Sequence, residues 1–332
     1  MLTLPSSRPL LRRGIYISIP LFILFLFGLS HFVHQPQYAF PRDVSSQQKS
    51  PYYSKGGPRH YSWENRPFFP PLINADGNLT ASDLCANFST HLLDRIQVIL
   101  KTGAGEPEKN KAHLATVTSC ITNLIVVSDH DEIIGQHHFI DVLDDLPPEY
   151  ASDNPDFATY HAQKQAHSQG ESVGYSQEGW RLDRFKFLPM VEKAYEMRPH
   201  AEWYVFIEAD VYYFWDTLFR ILDQLDPSMM HYIGSPVPGA HGRSFAYGGA
   251  GFVLSTGVMK RLVGDSSDSR LSVKYMDWAK KDCCGDAVLG YAILDKTGVK
   301  VEGLYPTFAG DDLASLKNVP GTDNGTVGMG AN

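Results

Sequence analysis

Three near-continuous apolar runs organise the middle of the chain. "IQVILKTG" (Ile96–Gly103), "NLIVVSDHDE" (Asn123–Glu132) and "WYVFIEAD" (Trp203–Asp210) each finish on polar residues. Runs of this length read as strands buried on both faces, and Gly103 closes the first in a turn. Between and after them the apolar period becomes helical. Trp215, Leu218, Phe219, Leu222 and Leu225 share one stripe, which predicts a helix over 216–225. Residues 185–197 predict another, with Pro189 either early or at a kink. Alternating strands and helices predict an α/β domain with a mostly parallel central sheet flanked by helices. Ligands of such sheets bind beyond the carboxyl ends of the strands, and the polar ends "KTG", "SDHD" and "EAD" would gather at that edge.

The N-terminus follows a different pattern. Ile15–Val33, "IYISIPLFILFLFGLSHFV", has no acid, Lys or Arg and follows Arg8, Arg12 and Arg13. It is long enough to cross a bilayer as a helix. The arginines predict a cytoplasmic tail over 1–14, a signal-anchor over 15–33 and a lumenal remainder. The alternative is a cleaved signal peptide, with Gly28 and Ser30 as the small residues near the cut. Both send the rest of the chain into the secretory pathway. Prolines 36, 41, 51, 58, 67, 70 and 71 predict an extended stalk over 34–80. The globular domain is expected over 85–310, and the Gly- and Asn-rich 311–332 as a disordered or truncated tail.

Composition narrows the partners. The chain has 332 residues, a net charge of -8 and no dense basic block after the N-terminus, so nucleic acid is excluded as a first choice. Asn78, Asn87 and Asn324 open glycosylation sequons. Of four cysteines, Cys85 and Cys120 are expected to pair. Cys283 and Cys284 are not expected to bond to each other, because neighbours rarely meet disulfide geometry. No CxxC pair is present, which argues against zinc.

Three stretches could carry chemistry. Glu208 and Asp210 in "VFIEADVYYF" are spaced i, i+2, one face of a strand. Carboxylates so placed suit a hard divalent cation that neutralises a leaving diphosphate; the bland reading is a solvated turn. "YGGAGFVLSTGVMKRL" (247–262) could be a floor on which a sugar approaches backbone, or a tight packing turn. In "KKDCCGDAVLGYAI" (280–293), Asp286 could be a helix N-cap or a general base taking a proton from an acceptor hydroxyl.

Taken together, "GWRLDRFKFLPMVEKAYEMRP", "EWYVFIEADVYYFWDTL", "YIGSP", "YGGAGFVLS" and "DCCGDAVLG" resemble the fringe and core-1 β-1,3-galactosyltransferase-like inverting glycosyltransferases, in their fungal branch, over residues 97–307. The resemblance implies a GT-A-type nucleotide-binding fold, a UDP-sugar donor, Mn²⁺ or another divalent cation, and a single-pass type II Golgi membrane protein acting on a glycan or glycoprotein acceptor. It implies hexose transfer, β-1,3-linked, by one displacement. By position, Asp210 falls on the metal-ligating acid and Glu208 on the first acid of the same motif, with Ala209 between. Asp286 falls on the catalytic base, and Gly248, Gly249 and Gly251 on the sugar and acceptor loop. Thr102, Asp129 and Lys186 fall near the donor nucleotide; for Lys186 a solvated surface position is the other reading. The family also carries a metal-ligating His after its final strand, and this chain has no His after His241. That departure sets up the competing reading, a GT-A pseudoenzyme that binds glycan or a partner enzyme.

Overall fold

The computed structural model describes residues 80, 83, 85, 86 and 88–304, apart from 172 and 266, together with 308 and 310. The segments expected as a cytoplasmic tail, a membrane span and a disordered tail beyond 310, and nearly all of the expected stalk, lie outside the described residues. Among the described residues no helix is long and apolar enough to cross a membrane.

The first apolar run forms β1 (Ile96–Lys101), the second β2 (Ile125–Ser128) and the third β5 (Trp203–Glu208). The second run ends as a strand where it turns polar, and after Ser128 the chain turns into β3 (Glu132–Ile134) and β4 (His137–Asp141). Helix α1 (Pro107–Ala115) follows β1, and α2 (Pro155–Ser168), α3 (Gln177–Leu182) and α4 (Phe187–Met197) come before β5. Pro189 lies in the first turn of α4, where its missing N–H costs nothing. Helix α5 (Trp215–Asp223) then leads to β6 (Tyr232–Gly234), the hairpin of β7 (Pro236–Pro238) and β8 (Ser244–Ala246), β9 (Phe252–Ser255) and α6 (Thr256–Val263). Two short helices, Leu271–Lys274 and Met276–Lys281, precede α7 (Gly285–Thr297).

The seven-stranded sheet has the order β3-β4-β2-β1-β5-β9-β6. Strands β4, β2, β1 and β5 are parallel neighbours, while β3 and β9 run antiparallel to theirs. The α/β sheet is therefore mostly parallel at its centre, as expected. The chain builds outward from β1 through β2 to β4, then returns to lay β5 on the other side of β1. A crevice opens at such a reversal, at the carboxyl ends of the two strands.

Both sheet faces are covered, which is why the central runs are continuous rather than alternating. Ile99, Val127, Tyr204 and Phe206 point into one core with α2, α4, α6 and α7. Val98, Leu100, Val205 and Ile207 point into the other, with α5. Of the predicted α5 stripe, Trp215, Leu218, Phe219 and Leu222 are buried there, with Leu225 at its margin.

Cys85 and Cys120 form a disulfide, as expected. Cys283 and Cys284 also bond to each other, against expectation. They sit in the turn immediately before α7, with Cys284 as its N-cap. There the backbone need not follow a helix or strand, and the general scarcity of neighbouring pairs does not decide the case.

Candidate active site

The crevice between the ends of β1 and β5 is a cavity of about 220 Å³. Thr102, Asp129, Lys186, Glu208 and Asp210, five positions singled out from sequence, line it together with Lys101, Lys109, Glu106 and Asp183. The bends after β1, β2 and β5 place Thr102, Asp129 and Asp210 at one edge, because parallel neighbours end on the same side, and Asp183 and Lys186 reach it from the turn before α4.

Two buried lysines anchor the wall. Lys186 is 2% exposed, and its Nζ donates to the Thr102 carbonyl at 2.7 Å. The same Nζ lies 3.1 Å from Asp129 Oδ2 and 3.5 Å from Asp183 Oδ1. Three acceptors occupy all three ammonium protons, so Lys186 is a fixed post between loops. The solvated reading does not hold, since an unpaired Lys at this depth would be too costly. Asp129 is fixed from the other side by the Ala104 amide at 2.7 Å. The Thr102 hydroxyl is buried and donates to Asn110 on α1, so this residue faces the cavity without a free hydroxyl proton.

Lys101, the last residue of β1, pairs with Asp183, with Glu208 Oε1 at 3.3 Å, and sits 4.6 Å from the Phe187 ring centroid. Burial disfavours its charge, but Asp183 and Glu208 outweigh that and raise its pKa. Burial likewise opposes ionisation of Asp183, and Lys101 with Lys186 reverses it and holds the carboxyl below its ordinary value. For Glu208 burial wins. Lys101 pulls the other way, but Asp183 and Asp210 add repulsion, and its pKa is pushed up to about 7.

Asp210 stands apart. Its side chain is 61% exposed and its neighbour is Lys109 at 3.6 Å, a solvated pair worth little. Three lysines and five carboxylates line the cavity, and both buried lysines are already committed. A diphosphate entering here meets the charge of Asp210 and, above about pH 7, that of Glu208. Oxygen donors with that charge fit a hard divalent cation whose remaining ligands are phosphate oxygens and water. Among the described residues, the group of three close ligand-type atoms is Asp282, Cys283 and Cys284. Its two sulfurs are bonded to each other, which removes it as a thiolate site.

Asp286 is the second residue of α7, not its N-cap. Its Oδ2 accepts from the Gly248 amide at 2.8 Å and its Oδ1 from the Ala287 amide at 2.9 Å. Burial raises its proton affinity, and those two amides and Lys101 only partly offset the rise. A carboxylate with raised proton affinity suits a base. Gly248 joins this acid to the others: a Cβ there would lie 2.8 Å from Glu208 Oε1 and 2.9 Å from Phe187 Cζ. Gly251, at φ +70°, packs under Tyr213, whose hydroxyl would meet a Cβ at 2.1 Å. A Cβ on Gly249 would meet the Tyr247 ring at 2.6 Å. The floor and packing readings thus divide by position: Gly248 sits among the acids, Gly251 is packing, and Gly249 makes room for Tyr247. Tyr247 is half exposed, and burial followed by the charges of Glu208, Asp210 and Asp286 raises its pKa.

Lys101, Asp183 and Tyr247 were not picked out from sequence. Lys101 had a signal, a lone cation closing a fully buried strand. Asp183 sits three residues before Lys186, a spacing that brings side chains together on a helical turn.

Residues 167–316 match the protein-family model described as Fringe-like. That match includes Lys186, Glu208, Asp210, the glycine loop and Asp286, but not Thr102 or Asp129. No curated protein matches the chain. Among solved structures, the chain is similar to a glycosyltransferase involved in glycosylation of the major capsid of PBCV-1. That similarity has 13% identity and a TM-score of 0.27, covering 62% of this chain and 80% of the other.

Proposed function

Because residues 167–316 are Fringe-like, we propose that the protein is an inverting glycosyltransferase of the GT-A type. It moves a hexose from a UDP-sugar to a hydroxyl of a glycan or glycoprotein, giving a β-1,3 linkage, as a type II Golgi membrane protein. The observation that carries the reading is the joining of Asp286 to the Glu208–Asp210 edge through Gly248. A carboxylate suited to a base thereby sits next to the Glu208 and Asp210 edge of a strand-end crevice.

Asp286 accepts the proton of the acceptor hydroxyl, and the oxygen attacks the anomeric carbon as the bond to the diphosphate breaks. The Gly248 and Ala287 amides hold the Asp286 carboxylate in place. Asp210, with Glu208 two residues before it, would hold a divalent cation, Mn²⁺ in the expected case, which when bound neutralises charge on the leaving diphosphate. One base and one displacement predict inversion. Lys101 and Lys186 hold Asp129, Asp183 and Glu208 at fixed positions along the donor wall.

The test is release of UDP from UDP-galactose, UDP-N-acetylglucosamine and UDP-glucose, with Mn²⁺ or with EDTA, against a panel of glycoside acceptors. Mn²⁺-dependent release that disappears in Asp286→Asn and loses its metal dependence in Asp210→Asn supports the reading. No turnover with any pair, alongside glycan binding that survives both substitutions, would sink it in favour of the pseudoenzyme.

A further inference from the structure

Two large aromatic side chains on the cavity wall are left open. Tyr175 and Trp180 line it and are 67% and 58% exposed. Exposed aromatics of this size are uncommon without a purpose when they cluster at a cleft.

Neither sits on an unsupported segment. Ser176 caps α3, its hydroxyl accepting from the Gly179 amide at 2.9 Å. A Cβ on Gly179 would meet Gln163 Nε2 of α2 at 2.8 Å, so α3 is seated closely on α2. A Cβ on Gly105 would meet the Gly174 carbonyl at 3.1 Å and Tyr175 Cα at 3.3 Å, so the 174–176 segment packs on the turn after β1. The backbone that carries the two rings is held in place, and the rings are uncovered.

The order of groups in a sugar donor says what covers them. A nucleotide sugar runs linearly from base through ribose and diphosphate to the transferred sugar, and the acceptor lies beyond. Asp286 and the glycine loop lie outside the cavity lining, next to its Glu208 edge through Gly248. A diphosphate at Glu208 and Asp210 with its sugar toward Asp286 therefore sends its nucleoside into the cavity, where the aromatic wall is. A base also suits this wall electrostatically, since stacking needs no cation in a cleft rich in carboxylates.

We infer that Trp180 and Tyr175 form the stacking platform for the nucleobase of the donor. This rests on the transferase reading for the direction of the donor, and its test separates the two. Trp180 is one of five tryptophans; Trp203 and Trp215 are buried. Intrinsic fluorescence of the full chain is titrated with UDP, uridine and inorganic pyrophosphate in Mn²⁺. UDP and uridine quench, pyrophosphate does not, and Trp180→Phe removes most of the quench while binding UDP within a few-fold of wild type by calorimetry. Trp180→Ala binds UDP roughly 5- to 150-fold more weakly, the loss of one stacked base. Because Trp180 is mostly exposed, its thermal midpoint stays near that of the wild type. If wild type binds UDP and the Tyr175→Ala/Trp180→Ala variant binds it equally well, the platform assignment is wrong and the transferase reading stands. If pyrophosphate quenches as UDP does, the wall belongs to the phosphates and the assignment is again wrong. If wild type binds no nucleotide, both fall.

Discussion

Lys101→Met is the most direct probe of the charged wall. Methionine keeps the unbranched reach of the side chain and its packing on Phe187 but removes the ammonium. Lys101 is 3% exposed, and its two partners, Asp183 and Glu208, are 28% and 25% exposed. After the change Asp183 keeps Lys186 at 3.5 Å, while Glu208 faces Asp183 and Asp210 with no cation beside it. Removing one member of a buried pair costs about 3–5 kcal/mol. The lower end applies here, because Glu208 already holds its proton up to about pH 7 and relieves part of the strain by staying neutral. For a domain of this size about 3 kcal/mol is roughly a 6–12 °C fall in Tm. The pH dependence gives a second handle. A carboxyl whose folded pKa is raised destabilises the fold as pH rises from its unfolded value, and losing Lys101 raises it further. From pH 5 to about pH 7 both folded forms keep the Glu208 proton and run in parallel; the gap widens from about pH 7 to pH 8, where wild-type Glu208 ionises beside Lys101 and the variant's does not. Urea and thermal unfolding in EDTA at both pH values measure it. A cost below about 1 kcal/mol, or one that does not grow with pH, would mean the wall is solvated and the network is not a structural unit.

Other variants address the remaining parts. Asp286→Asn keeps the shape and abolishes transfer while leaving donor affinity within a few-fold, read by turnover and calorimetry; a large loss of donor affinity argues against the base. Gly251→Ala places a Cβ 2.1 Å from Tyr213 Oη and 2.9 Å from the Phe206 carbonyl at φ +70°; backbone strain and overpacking together cost roughly 2–5 kcal/mol, seen in urea unfolding. Cys85→Ser/Cys120→Ser opens a loop of sequence separation 35, costing roughly 3–4 kcal/mol on the loop-entropy account, again read as a shift in urea midpoint. Acid unfolding tests Asp183: its carboxyl is held below the ordinary value by Lys101 and Lys186, so its contribution is complete above about pH 4 and lost as pH falls through its folded pKa, and Asp183→Asn flattens that limb.

The sheet was legible because its signal is local. A strand buried on both faces must be apolar at every position, so β1, β2 and β5 announce themselves wherever their neighbours lie. The α5 stripe is legible for the same reason, one face of one helix. The polar end of the second run, from Ser128, likewise marks the turn that leads to β3. The Cys283–Cys284 bond was missed by reasoning from the general rarity of such pairs to a turn where the backbone is free.

The site divides along the same line. Glu208, Asp210 and Asp286 belong to motifs whose order along the chain could be read, but their meeting could not. It depends on Gly248, whose amide serves Asp286 and whose missing side chain leaves room for Glu208. Lys101 and Asp183 are 82 residues apart, and nothing local to either names the other. What the sequence did contain was an unsolved cost, a cation closing a strand with no exposed face. A buried charge needs a partner, and the carboxylates in surplus over local cations were those of the candidate site. Searching for the partner of Lys101 would therefore have pointed to the candidate acids, Glu208 among them, but not to Asp183. By the same logic the exposed rings of Tyr175 and Trp180 were invisible: exposure is a property of the fold, and a Tyr or Trp in "GYSQEGW" reads equally well as core.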